Sequence, residues 1–242
     1  MNLCIDQGNS STKVGIFNQA ELIESFNYLV FDKKELEELL TKFSIQSCII
    51  SSVISNNEGL VSELKSNIHS LIVLTHKTSI PIENKYSTPE TLGKDRLAAL
   101  VGAAWLRPGS DLLVIDAGTA ITYDFIDSNS VFSGGNISPG LTLRLRSLHE
   151  FTQKLPIVEP KTESPILGNS TESAILSGAL YGIVFEIDGY IDALKNKYPQ
   201  LSTFLTGGST FYFDTKLKNA IFAERNLVLI GLNRILQYNV QK

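Results

Sequence analysis

Apolar residues come in two textures along this chain, short dense runs and longer stretches spaced at three and four, and the two alternate. The first dense run, Leu3-Cys4-Ile5, gives way to Asp6-Gln7-Gly8-Asn9-Ser10-Ser11-Thr12-Lys13 and resumes at Val14-Gly15-Ile16-Phe17. That pattern predicts a strand, a tight polar turn and a returning strand. A third strand follows over 21–30, with Asn18-Gln19 as its turn. Asp32 and Glu35 then form a capping-box-like start to a helix whose apolar face is Leu36, Leu39, Leu40 and Phe43. The run 47–53 shows no clean alternation, as buried parallel strands do not. Asn56 or Asn57 can cap a second helix carrying Leu60, Val61, Leu64 and Ile68, and 70–74 is a further short strand. Residues 79–92, with Pro81 and Pro89, read as irregular. A helix with Leu97, Leu100, Val101, Ala104 and Trp105 on one stripe comes next, which places Trp105 in the core. Arg107-Pro108-Gly109-Ser110 ends it and marks a boundary.

Beyond that boundary the pattern begins again. Leu112-Leu113-Val114-Ile115-Asp116-Ala117-Gly118-Thr119, followed by Ala120–Phe125, repeats the opening hairpin, with Asp116-Ala117-Gly118 lying over Asp6-Gln7-Gly8. A third strand over 130–132 follows here too. The Gly-rich segment Gly134-Gly135-Asn136-Ile137-Ser138-Pro139-Gly140 leads into a helix through about Phe151. A long helix runs from Thr171 to about Lys195, with Gly178 and Gly182 placed to admit another backbone. A strand over 201–205, a turn at Thr206-Gly207-Gly208-Ser209 and a helix over 226–238 complete the chain. The internal repeat predicts an α/β protein of two pseudo-symmetric lobes, 1–109 and 110–242, with the last helix free to pack back on the first. Both Asp-x-Gly turns would then face one interdomain cleft.

Composition narrows the class. A chain of 242 residues with 43% hydrophobic and 19% charged residues is an ordinary globular protein. The net charge of −4 gives no electrostatic reason to expect nucleic acid. No apolar run reaches the roughly 18–20 residues that span a bilayer, so no membrane partner is expected. Asp6 interrupts the place where a signal peptide would be apolar, and the expected location is cytoplasmic. Cys4 and Cys48 lie in apolar runs and read as reduced core residues. Two isolated cysteines with His69, His76 and His149 offer no zinc-type spacing.

The polar turns carry the candidate chemistry. A carboxylate ending a buried strand, followed by Gly and small hydroxyl or amide residues, suits a metal–phosphate group. Asp6 can face Mg²⁺, directly or through water, while Asn9, Ser10, Ser11 and Thr12 offer donors and Lys13 a positive charge. The second turn offers Asp116 and Thr119. Gly93-Lys94-Asp95-Arg96 opens a helix. Asp95 there suits the helix dipole, and it equally suits a base that orients a substrate hydroxyl, with Arg96 holding a planar carboxylate or amide. Arg144 and Arg146, two positions apart, do not share a helical face.

Asp6-Gln7-Gly8-Asn9-Ser10, Gly93-Lys94-Asp95-Arg96, Asp116-Ala117-Gly118-Thr119-Ala120 and Gly134–Gly140 occur in the order seen in the type III pantothenate kinases. The chain resembles that family, whose fold is the actin-like, hexokinase-like ATPase fold built of ribonuclease H-like lobes. The resemblance implies ATP-dependent phosphorylation of pantothenate to 4′-phosphopantothenate, the first step of coenzyme A biosynthesis. It implies a phosphate loop at Asp6, Gln7, Gly8, Asn9, Ser10, Ser11, Thr12 and Lys13, and a further ATP contact at Thr119. Asp95 would be the proton acceptor, and Tyr86, Gly93, Lys94, Asp95, Arg96 and Thr171 would bind pantothenate. Asp116 would hold a monovalent cation, K⁺ or NH₄⁺, beside Mg²⁺ and ATP as cofactors. Homodimers with the substrate site completed at the interface are implied as well. Ser10 stands where the family usually has Thr, which keeps the hydroxyl and loses a methyl group. Thr206-Gly207-Gly208 is similar to the superfamily's adenosine-side turn. The competing readings are another small-molecule kinase or phosphatase of the superfamily, and a catalytically silent regulatory relative.

Overall fold

Buried strands organise both halves of the chain, and the computed structural model describes them within residues 1–8, 11–54 and 58–240. Asn9, Ser10 and the candidate caps Asn56 and Asn57 lie outside the described residues. Contacts divide the chain into two compact units, one of Met1–Pro108, Ser130–Ser133 and Asn226–Lys242, the other of Gly109–Asn129 and Gly134–Arg225.

In the first unit, β1 (Asn2–Gln7), β2 (Thr12–Asn18), β3 (Glu21–Tyr28), β4 (Ser47–Ser52) and β5 (Ser70–Val73) form a sheet of order β3-β2-β1-β4-β5. β1 pairs antiparallel with β2, setting Asp6 opposite Lys13, and parallel with β4, setting Asp6 beside Ser51. β4 is buried throughout, which explains its unbroken apolar texture, whereas β3 alternates along its length as an edge strand should. The Asp32–Glu35 capping box forms as expected and opens α1 (Lys33–Lys42), and α2 spans Glu58–Asn67. Cys4 and Cys48 are free and buried, and burial pushes both thiols up from their ordinary values.

In the second sheet, β7 (Leu112–Ala117), β8 (Ala120–Ile126), β9 (Val131–Pro139), β10 (Ser202–Thr206) and β11 (Phe222–Ala223) run in the order β11-β10-β7-β8-β9, with the two-residue β6 (Glu83–Asn84) beyond β9. This is the first sheet's order strand for strand, so the repeat read from the sequence is a repeat of topology. β10 even places Thr206 beside Asp116, as β4 places Ser51 beside Asp6. The two turns differ by one residue, since Gln7 pairs Thr12 in the first while Ala117 pairs Ile121 in the second.

Two expectations are corrected here. The strand read over 130–132 continues through Pro139, so most of the Gly-rich segment is the largely exposed far half of β9, and Gly140 caps α4 (Leu141–Glu150). Trp105, at the far end of α3 (Lys94–Leu106), is 44% exposed, with the Arg234 guanidinium 4.5 Å over its ring. On α5 (Thr171–Lys197) no backbone of this chain takes up the space at either glycine: a Cβ at Gly178 would meet nothing within 4 Å, and one at Gly182 only Arg144 Nη1 at 3.6 Å. The close approach occurs between α3 and α6 (Leu227–Val240), where a Cβ at Gly231 would run into the Ala98 carbonyl and one at Gly102 into that of Leu227. α6 therefore belongs to the first unit although it ends the chain. Among the described residues α5 alone is long and apolar enough to cross a membrane. Its Ile175, Leu180, Ile183, Ile187 and Ile191 are core residues of the second unit, which accounts for that apolarity.

Candidate active site

The first unit supplies a phosphate-type turn and a helix start, and it ties them together. Asp6 and Gln7 are half-buried at the end of β1. The Gly8 N–H donates to the Ser11 carbonyl at 3.0 Å, and a Cβ at Gly8 would press on that oxygen at 3.2 Å, so glycine suits the closure. Ser11 and Lys13 are half-exposed at the turn, while Thr12 is buried at the start of β2. Gln7 is held from β4: Ser52 Oγ donates to Gln7 Oε1 at 2.8 Å, and Val53 N–H donates to the Gln7 carbonyl at 3.1 Å. Lys94 Nζ, from the first turn of α3, donates to the Ser52 carbonyl at 3.0 Å. Ser52 is thus the link between the Asp6 turn and the Gly93–Arg96 helix start. No local sequence signal marks it, because its role depends on parallel pairing between β1 and β4.

Gly93 is the N-cap of α3 and has no side chain to offer the helix, and Asp95 fills that gap by accepting the Arg96 N–H at 2.8 Å. A Cβ at Gly93 would lie 2.5 Å from Asp95 Oδ1, so the glycine leaves room for the carboxylate. Arg96 is only 6% exposed, and its guanidinium lies 5.7 Å from the centre of the Tyr86 ring. Tyr86 stacks on Phe132 at 5.7 Å and 7°. Both are positioned by β6 (Glu83–Asn84), which pairs with Val131 and Phe132 in the stretch the sequence reads as irregular. Two residues between prolines carry no period, so this strand was invisible.

The second unit builds its own turn. Asp116 is half-buried at the end of β7, the Gly118 N–H donates to the Ala120 carbonyl at 3.0 Å, and Thr119 is exposed. Gly140 N–H donates to the Thr119 carbonyl at 2.9 Å, and a Cβ at Gly140 would lie 2.6 Å from that oxygen. Gly207, at φ +102°, leans on the same turn: a Cβ there would collide with Asp116 Oδ1 and sit 2.5 Å from the Ala117 carbonyl. Thr171 stands apart as the exposed first residue of α5, behind the Ser170 cap. Gly207→Ala adds a left-handed backbone penalty to that collision. It is expected to cost about 1–3 kcal/mol, read as a drop of several degrees in Tm by calorimetry.

Both turns present hard oxygen donors, and among the described residues no three His, Cys, Asp or Glu side chains gather into a metal cage. This fits a magnesium ion that takes one carboxylate and completes its shell with water and phosphate.

A family profile described as type III pantothenate kinase matches residues 2–193. A type III pantothenate kinase from Phocaeicola vulgatus is 51% identical over 239 residues, covering 99% of each chain. One from Bacteroides fragilis strain YCH46 is 49% identical over 243 residues, covering 99% of this chain and 98% of its own. Among solved structures, a Baf family protein from Campylobacter jejuni superposes with a TM-score of 0.65 at 23% identity, over 99% of this chain and 100% of its own. An activator of 2-hydroxyisocaproyl-CoA dehydratase from Clostridium difficile, solved with ADPNP, gives 0.54 at 12% identity over 98% and 93%. At these identities the structures speak for the fold, which is that of the actin-like ATPases.

Proposed function

The chain belongs to the type III pantothenate kinases, and from that premise we propose that it transfers the γ-phosphoryl group of ATP to the hydroxyl of pantothenate, giving 4′-phosphopantothenate for coenzyme A synthesis. The observation that carries the reading is the bridge Gln7–Ser52–Lys94, which fixes a phosphate turn and a carboxylate-bearing helix start in one unit. Phosphoryl transfer asks for positioning and charge more than covalent help. Asp6 faces the ion, while the turn's N–H groups, Ser11 and Lys13 face phosphate oxygens; Asn9 and Ser10 share that role by family motif. Magnesium, when bound, neutralises charge building on the phosphates. Asp95 orients the attacking hydroxyl and takes its proton, which a carboxylate can do when the transition state is loose. Arg96, flanked by the Tyr86 ring, receives the pantothenate carboxylate, with Gly93 and Lys94 lining the approach. Thr119 contacts ATP, and Asp116 holds K⁺ or NH₄⁺.

We place the dimer interface on α5. Its outward stripe, Ala174, Gly178, Phe185, Gly189 and Ala193, is exposed and uncharged, with Phe185 62% exposed. Thr171 opens the same helix, so a partner seated there completes the pantothenate site. Phe185→Glu is expected to give monomers in sedimentation analysis and a raised KM for pantothenate, while an unchanged dimer would move the interface elsewhere. A cytoplasmic setting suits the two buried free thiols.

A coupled ATPase assay tests the reaction. ATP consumption is expected only with pantothenate present and is expected to fall when Na⁺ replaces K⁺. Turnover with a sugar or polyphosphate instead would assign another acceptor, and ATP binding without any turnover would mark a silent relative.

A further inference from the structure

Inside the second unit, one carboxylate gathers four elements. Glu186, on α5, forms an ion pair with Arg144 of α4 and accepts the Tyr123 hydroxyl of β8 at 2.8 Å. Burial alone would raise the Glu186 carboxyl, but hydrogen bonds from Arg144, Ser138 and Tyr123 hold it below the usual carboxylate range. The same Arg144 reaches into the end of β9, where Nε donates to the Pro139 carbonyl and Nη2 to Ser138 Oγ, each at 2.8 Å. The far half of β9 is exposed and rich in glycine, so packing does little to fix it. Directly after Pro139 comes Gly140, whose N–H holds the Thr119 carbonyl and whose Cα fits against Gly118 and Thr119 with no room for a side chain. The guanidinium fork is therefore the brace of a segment that ends on the Thr119 turn.

We propose that Arg144 and Glu186 are positioning residues for the nucleotide, setting the Thr119 turn through Ser138, Pro139 and Gly140. The inference rests on the reading of Thr119 as an ATP contact. A charge and a planar fork are both needed, because one donor group must reach two acceptors on β9 while paired to α5. Removing either charge leaves the other partly buried without compensation, and the strand end drifts.

The test measures ADP binding by titration calorimetry, which needs no turnover, beside steady-state kinetics. Glu186→Gln is expected to weaken ADP binding and raise the KM for ATP about tenfold, the scale of a sub-ångström misplacement. Its kcat and its KM for pantothenate are expected to stay close to wild type. Arg144→Gln should behave alike, and the double variant should be no worse than the poorer single one, since the two act as one unit. Tyr123→Phe, which keeps the ion pair, is expected to cost far less, and it carries the test with Arg144→Lys should Glu186→Gln fail to fold. ADP affinity unchanged in a folded Glu186→Gln protein, or equal losses for ADP and pantothenate, would overturn the proposal. A wild-type chain that binds ADP yet does not phosphorylate pantothenate would remove the reaction and leave this inference intact.

Discussion

Asp95→Asn is expected to fold with an unchanged melting curve and to lose about 10²–10⁴-fold in kcat, the range that a positioned general base contributes. The fold should survive because the asparagine oxygen can still accept the Arg96 N–H, the hydrogen bond that Asp95 makes in the first turn of α3. What disappears is basicity, and with it the ability to draw the proton from the attacking hydroxyl. The KM values for ATP and pantothenate should move little, since an interaction made in the transition state shows in kcat. Steady-state kinetics with a thermal melt decide the matter: full activity in a folded Asp95→Asn protein would take the base role away from this residue.

Gly231→Ala carries the largest expected cost in stability, about 3–5 kcal/mol, at the top of the range for single substitutions. The added Cβ collides with the Ala98 carbonyl and comes within 2.6 Å of its carbon and 2.9 Å of Gly102 N. These are backbone atoms of α3, so no rotamer change relieves the contact and the two helices must separate. Urea unfolding should show the loss as a lower midpoint, whereas Gly178→Ala, with open space around its Cβ, should be neutral or slightly stabilising. Because α3 begins with Lys94-Asp95-Arg96, the residual folded protein should be slower as well.

The contrast between these glycines shows where sequence reasoning reached and where it stopped. Periodicity located the Asp6 and Asp116 hairpins, the Asp32–Glu35 cap and the helix that starts at Gly93, because each is encoded by neighbours in the chain. Glycine in a helix announces a close approach without saying to what, and within this chain the approach is made at Gly102 and Gly231. Trp105 continued an apolar stripe past the end of the core, and period alone does not report where a core ends. β6 and β11, two residues each, fall below the length at which alternation exists. The Ser52 bridge and the Arg144–Glu186 brace join residues far apart in sequence. Only the fold brings them together.

The placement of α6 has a bearing on the order in which the molecule is made. Asn233, buried in that helix, accepts from Asn2 Nδ2 at 2.9 Å and donates to the Gln19 carbonyl at 2.7 Å. A helix that follows the whole second unit in the chain thus bonds to β1 and to the turn between β2 and β3. Until it arrives, α3 exposes the groove shaped for Gly231, and the unit that was begun first cannot be finished. A nascent chain halted before residue 226 holds every residue of the second unit and an incomplete first one. The Asp6 turn and Asp95 thereby gain the support of α6 only after the second unit has been made, so the first unit cannot be assembled from the N-terminal half alone.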